Sequence, residues 1–272
     1  MGLSILNIGG HPKDVILYAG GTMAIHTSLG DRVCALTPTH GLSHHGRALD
    51  KFNQGKTIDL SALIEERKQE LNEAANELGV TDIRFLGHSD EIVLPREEII
   101  EEIADVICDV KPDIMITHWP DDSVAAHSNA TRMALLAIET AACLRPSKPY
   151  TPHGVKQVFF HVQEGRTNVL ENTRPQNPTT VIDITDTIHK KYKAMNKFKS
   201  QFYGEDSPLQ RKLSESLDGS VHAIHARVPY AEAFVAMNPE VYRSLPMSEY
   251  GAELSKKNQS EELSHMSQML LN

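Results

Sequence analysis

Apolar residues in this chain fall in short clusters of strand length, separated by longer stretches with helical spacing. Leu3–Ile8 predicts a strand that Gly9-Gly10 ends. Asp14–Leu29 predicts a helix, with Gly30 suited to the position just past its end. Arg32–Thr37 is a second strand, and Pro38–Thr57 a long polar loop of the kind that is usually functional or mobile. Asp59 is placed to cap a helix over Leu60–Leu78, whose stripe is Leu63, Arg67, Leu71, Ala74, Ala75 and Leu78, with Gly79 as its stop. Ile83–Leu86 is a third strand. A helix opening at Pro95 turns Ile99, Ile103, Val106, Ile107 and Val110 inward. The fourth strand, Ile114–Thr117, leads through a loop from His118 to about Ala126 into a helix ending near Ala142. Val155–His161 and Val181–Ile184 predict strands five and six, and Thr185 or Asp186 caps a Lys-rich helix reaching to about Phe202.

Strands alternating with helices imply an α/β fold: a Rossmann-like, doubly wound, mostly parallel sheet with helices on both faces. One α/β domain over 1–245 and a poorly ordered polar tail over 246–272 are expected. In a sheet of core order 3-2-1-4-5, strands 1 and 4 are neighbours. Ligands bind where their carboxyl ends flank the switch in winding direction. That selects Gly9–Asp14 and His118–His127 before any chemistry is considered. Gly20-Gly21 inside the first helix costs about 1 kcal/mol per glycine relative to alanine, which suggests close packing of that helix on the sheet.

Composition narrows the class. With 27 basic and 36 acidic side chains the net charge is −9, which argues against a non-specific nucleic-acid binder. At 40% hydrophobic residues the chain can build a core, and no apolar run reaches the ~20 residues needed to span a bilayer. The N-terminus has no basic start and no long apolar segment, so a secretory signal is not expected. Cys34, Cys108 and Cys143 form no CxxC pair, which leaves a disulfide scaffold or thiolate zinc site without support. A soluble, cytoplasmic, acidic protein is the expectation. The 14 histidines stand out, several beside Asp in turn-like segments.

His11 and Asp14 are three residues apart after strand 1, and His118, Asp121, Asp122 and His127 follow strand 4. Two imidazoles and one carboxylate meeting at the switch point, with a coordination position left open, suit a catalytic divalent metal: zinc first, iron or manganese behind it. A dinucleotide site is not supported, because no GxGxxG follows strand 1 and strand 2 ends in Thr37 rather than an acid. No GxSxG elbow is present. The loop His40-Gly-Leu-Ser-His44-His45-Gly46 lies at the same sheet edge. His40, His44 or His45 could supply an acid or base or close over substrate; a polar surface loop is the plain alternative. His88 and Asp90 after strand 3 carry a similar reading with less force.

The stretch Gly9-Gly-His-Pro-Lys-Asp-Val-Ile-Leu-Tyr-Ala-Gly-Gly-Thr22 resembles the first motif of the LmbE-like (PIG-L) family. Further pieces resemble that family in order: Thr37-Pro-Thr-His-Gly41, Arg67-Lys-Gln-Glu-Leu71, Thr117-His118 with Asp122 and His127-Ser-Asn-Ala-Thr131, Asp183-Ile-Thr-Asp with Lys191 and Ser200-Gln201, and Tyr230-Ala-Glu-Ala-Phe234. The resemblance covers roughly residues 3 to 240. It implies a zinc-centred fold, N-deacetylation of amino sugars, and His11, Asp14 and His127 as metal ligands. It implies a small-molecule substrate, with Arg67 reaching its polar groups, and a homo-oligomer. Asp122 orients a ligand or binds substrate in this pattern, and His118 is a partner of ligand or substrate.

Two departures matter. The deacetylases place Asp, the general base, directly before the ligand Asp; here it is Lys13. The second motif is commonly His-Pro-Asp-His; here it reads Val124-Ala-Ala-His127. Each loss removes a factor of ~100 or more in rate from the usual proton machinery. Lys13 either anchors a substrate carboxylate, acts as acid or base, or faces solvent on a site that has lost activity. Lys13, Asp122, His44 and His45 are therefore the candidate proton carriers. The expected activity is metal-dependent hydrolysis of a C–N amide in an N-acylated sugar or similar conjugate. A branch resembling this chain in its late motifs, the 4-oxalomesaconate hydratases, makes hydration of an unsaturated keto-polycarboxylate the alternative. Arg47, Arg67, Lys13 and Arg227 suit such an acid. A metal-binding protein without catalysis is the third reading.

Overall fold

Alternation along the first strand sets the layers. In β1 (Ser4–Ile8), Ile5 points into one apolar core, while Leu6 and Ile8 point into the other. The computed structural model describes residues 2–42, 52–91, 94–162, 178–201, 203, 228–261 and 264. Among these, β2 (Arg32–Thr39), β3 (Asp82–His88), β4 (Ile114–Thr117), β5 (Gln157–His161), β6 (Thr180–Asp183) and β7 (Ala231–Ala236) join β1 in one sheet of order β3-β2-β1-β4-β5-β7-β6. The first five strands are parallel, in the expected 3-2-1-4-5 order. Helices α1 (Asp14–Ser28), α2 (Leu60–Glu77) and α5 (Ile188–Met195) cover the Ile5 face, and α3 (Glu97–Val110) and α4 (Ala125–Ala142) the Leu6 face. The fold is the mixed α/β, mostly parallel architecture that the alternation predicts.

Local signals act where the sequence places them. The Asp59 side chain accepts the Ala62 N–H at 3.1 Å and starts α2. Gly30 and Gly79 take the left-handed backbone (φ +81° and +77°) just after α1 and α2, where a Cβ is disfavoured. The third helix starts at Glu97, two residues after Pro95.

Three expectations need correction. Residues 231–236 form a strand that the hydropathy pattern hides, because its buried face carries Glu232. β7 sits between β5 and β6 and is antiparallel to both. Next, the Lys-rich segment does not run as one helix from Thr185 or Asp186 to Phe202. Thr185 is held by Asp183, with its N–H 3.0 Å and its hydroxyl 2.6 Å from Oδ1. The helix starts after Thr187 and ends at Met195. A 3-10 turn, Lys199–Gln201, follows, where the Glu70 carboxylate accepts the Ser200 N–H (2.7 Å) and hydroxyl (2.6 Å). Finally, the region beyond Leu245 holds a short helix α6 (Glu249–Leu254), capped by Ser248 Oγ on the Gly251 N–H.

The two glycines of α1 pack chiefly against what lies beyond the sheet. A Cβ on Gly21 would stand 2.7 Å from Ile184, and one on Gly20 3.1 Å from the Lys191 stem. The helix also breaks at Ala19 (φ −140°, ψ 18°).

Candidate metal centre

β1 and β4 run side by side, paired from Ile5–Ile114 to Asn7–Ile116, so the loops leaving their carboxyl ends meet. The first loop delivers His11, Lys13 and Asp14, and the second His118, Asp122 and His127. Ligand atoms of His11, Asp14 and His127 all lie within 4.8 Å of one another, and all three residues are buried. Asp14 Oδ2 is the shared point. It accepts the His11 backbone N–H at 2.8 Å, lies 2.8 Å from His11 Nδ1, and lies 3.1 Å from His127 Nε2. The other oxygen, Oδ1, is 2.5 Å from Lys13 Nζ.

Behind His127, Asp122 Oδ2 is 2.9 Å from Nδ1, and Asp122 Oδ1 accepts the Val124 N–H at 2.8 Å. The carboxylate thus fixes the ring with Nε2 toward Asp14, the arrangement commonly found behind a metal-bound histidine. His118 stacks on His127 with ring centres 4.0 Å apart. Its Nε2 accepts the Gly10 N–H at 2.8 Å, so the neutral ring carries its proton on Nδ1. A second cluster, His118, Asp122 and His127, shares His127 with the first. The His118 tautomer leaves that cluster short of a lone pair, and the His11–Asp14–His127 group is the one suited to an ion. His118 is also fully buried, and its bond to the Gly10 N–H ties the second loop to the first.

Charge at the site already tends toward what a cation would satisfy. Burial disfavours ionised Asp14, but Lys13, His127 and His11 outweigh it and hold its pKa well below the ordinary carboxylate range. Burial also works against charged His127, yet Asp14 and Asp122 raise its pKa above the usual histidine value. His11 and His118 shift the other way, chiefly by burial. An imidazolium proton on His127 does for Asp14 what a metal ion would do. Two imidazoles and a carboxylate with their ligand atoms this close fit a divalent ion.

The rim is built from strands 2 and 3. Asp90 Oδ1 lies 3.3 Å from His40 Nδ1 and accepts the Leu42 N–H at 3.2 Å, while Oδ2 is 3.8 Å from His11 Nε2. Arg67 is completely buried, donates from Nη2 to the Gly41 carbonyl at 3.1 Å, and has its pKa lowered to about 10 by burial. Gly41 is required there: its φ is +69°, and a Cβ would stand 3.1 Å from that of His11. His44, His45, Arg47 and Arg227 lie outside the described residues. His161 was not singled out by the sequence. It ends β5 beside His118, with ring centres 5.5 Å apart, is buried, and makes no hydrogen bond to the described residues through either nitrogen. Its only sequence signal is a histidine at the carboxyl end of a strand, on the same edge as His118.

A Rossmann-like sheet with a buried His/Asp group at its switch point defines a class of metal-site α/β proteins. Residues 6–138 match the PIG-L family model, described as GlcNAc-PI de-N-acetylase. The chain is 27% identical over 191 residues to a 1D-myo-inositol 2-acetamido-2-deoxy-alpha-D-glucopyranoside deacetylase 2 of Catenulispora acidiphila, covering 58% of this chain and 60% of that protein. It is 28% identical over 202 residues to a probable N-acetyl-alpha-D-glucosaminyl L-malate deacetylase 2 of Bacillus cereus, covering 72% and 83%. The matched stretch spans only 52–60% of the length of three inositol-glycoside deacetylases. The crystal structure of GalB, the 4-carboxy-2-hydroxymuconate hydratase from Pseudomonas putida KT2440, superposes with a TM-score of 0.68 at 22% identity, over 90% of this chain and all of that one. That likeness shows the fold. Among the described residues, no helix is long and apolar enough to cross a membrane.

Proposed function

We propose that this protein is a metal-dependent N-deacetylase that cleaves the C–N amide of a small N-acylated amino-sugar conjugate. One observation carries the reading: Asp14 Oδ2 is shared between His11 and His127, with Asp122 set behind His127, inside the stretch that matches the PIG-L family model. The names of the relatives, deacetylases of sugar conjugates, support the substrate class. His11, Asp14 and His127 would hold the ion, with zinc as first choice. When bound, it supplies Lewis-acid polarisation of the acyl carbonyl and lowers the pKa of water toward ~7.

Proton traffic falls to other residues. Lys13 cannot serve as a base while its ammonium is bound to Asp14 Oδ1. Asp122 has both oxygens engaged, one on His127 and one on the Val124 N–H. His40 is the imidazole on the rim, and Asp90 Oδ1 faces its Nδ1. We assign His40 as the group that takes up a proton during attack and returns it to the leaving amine, its Nδ1 held by the Leu42 N–H at 3.2 Å. Arg67 sets the floor under Gly41 and offers its remaining donors to substrate oxygens.

A second reading, hydration of an unsaturated keto-acid, is favoured by Lys13 standing where the deacetylases carry Asp. Acetate release from N-acetylated amino sugars, compared with loss of absorbance from conjugated unsaturated keto-acids, separates the two. Deacetylation requires acetate release that falls about 100-fold or more in His40→Ala. Turnover of the keto-acid alone replaces it with hydration. Equal zinc content in wild type and His127→Ala removes the metal site from both readings.

A further inference from the structure

The two oxygens of Asp14 are not equivalent. Oδ2 faces inward, 2.8 Å from His11 Nδ1 and 3.1 Å from His127 Nε2. Oδ1 faces the other way and lies 2.5 Å from the ammonium of Lys13. Lys13 precedes Asp14 at the start of α1, with helical backbone angles (φ −69°, ψ −26°), and makes no capping bond with its side chain. Its ammonium is instead turned onto the neighbouring carboxylate, and its side chain is only 17% exposed. The pair is short, largely dry and local in the chain.

We propose that Lys13 is a positioning residue for the metal centre: it occupies Oδ1 of Asp14, so that Asp14 offers the ion Oδ2 alone. This inference rests on the metal-centre reading above and goes beyond it. A free carboxylate at this place can swing to present both oxygens, adding a donor and closing the coordination position that substrate needs. With Oδ1 held, the protein's donor set stays at three, the count of catalytic sites that keep one position open. The ammonium has a second effect. It stands one carboxylate away from a dication and repels it, so the ion is held less tightly than by the same three ligands without the lysine. Lys13 thus sets ligand geometry and tempers affinity.

The test compares wild type, Lys13→Met and Lys13→Arg. Zn2+ affinity is measured by competition with a chromophoric chelator, and the visible spectrum is recorded after loading with Co2+. Melting of the metal-free proteins verifies that each is folded. Lys13→Met is expected to bind Zn2+ about tenfold or more tightly, because a like charge is removed. Its Co2+ bands should lose intensity as Asp14 supplies a second oxygen and the coordination number rises. Lys13→Arg, which keeps a cation on Oδ1, should retain the wild-type spectrum and stay within a few-fold in affinity. A lysine that merely faces solvent moves neither readout: equal affinity and an unchanged spectrum in Lys13→Met overturn the inference and leave the metal centre standing. A folded wild-type protein that binds neither ion overturns the metal centre itself.

Discussion

Glu232 on β7 closes a break in α1: its carboxylate accepts the Gly21 N–H at 2.9 Å and the Thr22 N–H at 2.8 Å. Those amides would bond four residues back in an unbroken helix, but the backbone departs from helical geometry at Ala19. The second half of α1 therefore has its own N-terminus inside the protein, and a carboxylate there satisfies both donors and the helix dipole. Lys191 Nζ, 2.9 Å from Glu232 Oε1, balances the charge; both side chains are almost completely buried. Three pieces of sequence, Gly20-Gly21-Thr22, Lys191 and Glu232, are thus one interaction. Its consequence is positional, because α1 carries Asp14 and Tyr18, and the Tyr18 ring lies against His118, His127 and His161.

Removing one member should be costly. Glu232→Ala removes the carboxylate 2.9 Å from the buried Lys191 ammonium and leaves two amides without acceptors, and is expected to lose about 3–5 kcal/mol of stability. Glu232→Gln combined with Lys191→Met keeps an acceptor for the helix and removes both charges, so it should lose distinctly less. Urea unfolding of the single and double variants checks the order. Equal losses would mean that the lysine charge is not what makes Glu232→Ala costly.

His161 sets an acid limit on stability. Burial lowers its pKa to about 3, far under the ordinary histidine value. The unfolded chain then binds a proton near pH 6.5 that the folded chain refuses, so stability falls as pH drops through that window. At pH 4 the contribution is roughly 3.5 kcal/mol, from about 2.5 pH units at ~1.4 kcal/mol each. His161→Phe should flatten the fall in melting temperature between pH 6.5 and 4 and raise stability at the acid end. An unchanged slope would place the acid sensitivity elsewhere. Burial lowers His118 and His11 as well, so part of the fall should persist in His161→Phe.

Asp122 should act through His127. Asp122→Ala removes the acceptor 2.9 Å from Nδ1 and frees the ring and its tautomer. A loss of about 10–100-fold in zinc affinity is expected, with the fold intact by circular dichroism. Asp122→Asn keeps a hydrogen-bonding group there and should lose less. An Asp122→Ala protein that holds zinc as tightly as wild type would show that the ring is fixed by its stacking on His118 alone.

Much of this was legible in the chain itself. Alternation in strands and helical stripes such as Ile99, Ile103, Ile107 and Val110 depend on local geometry, so they fixed the parallel five-strand core and its order. Once that order stands, the loops after β1 and β4 must meet, and His11, Asp14, Asp122 and His127 come together on the two stretches that the order singles out. The tertiary structure decided what local pattern cannot encode. β7 was hidden because Glu232 interrupts its apolar face, and only Lys191 and the open amides of α1, distant in sequence, make that charge tolerable. The late helix ended early because Glu70 captures Ser200 from a different helix. Which oxygen of Asp14 meets Lys13, and which nitrogen of His118 holds Gly10, depends on side-chain rotamers that packing selects. Periodicity carries which face a residue takes; it carries nothing about the partner that the face will find.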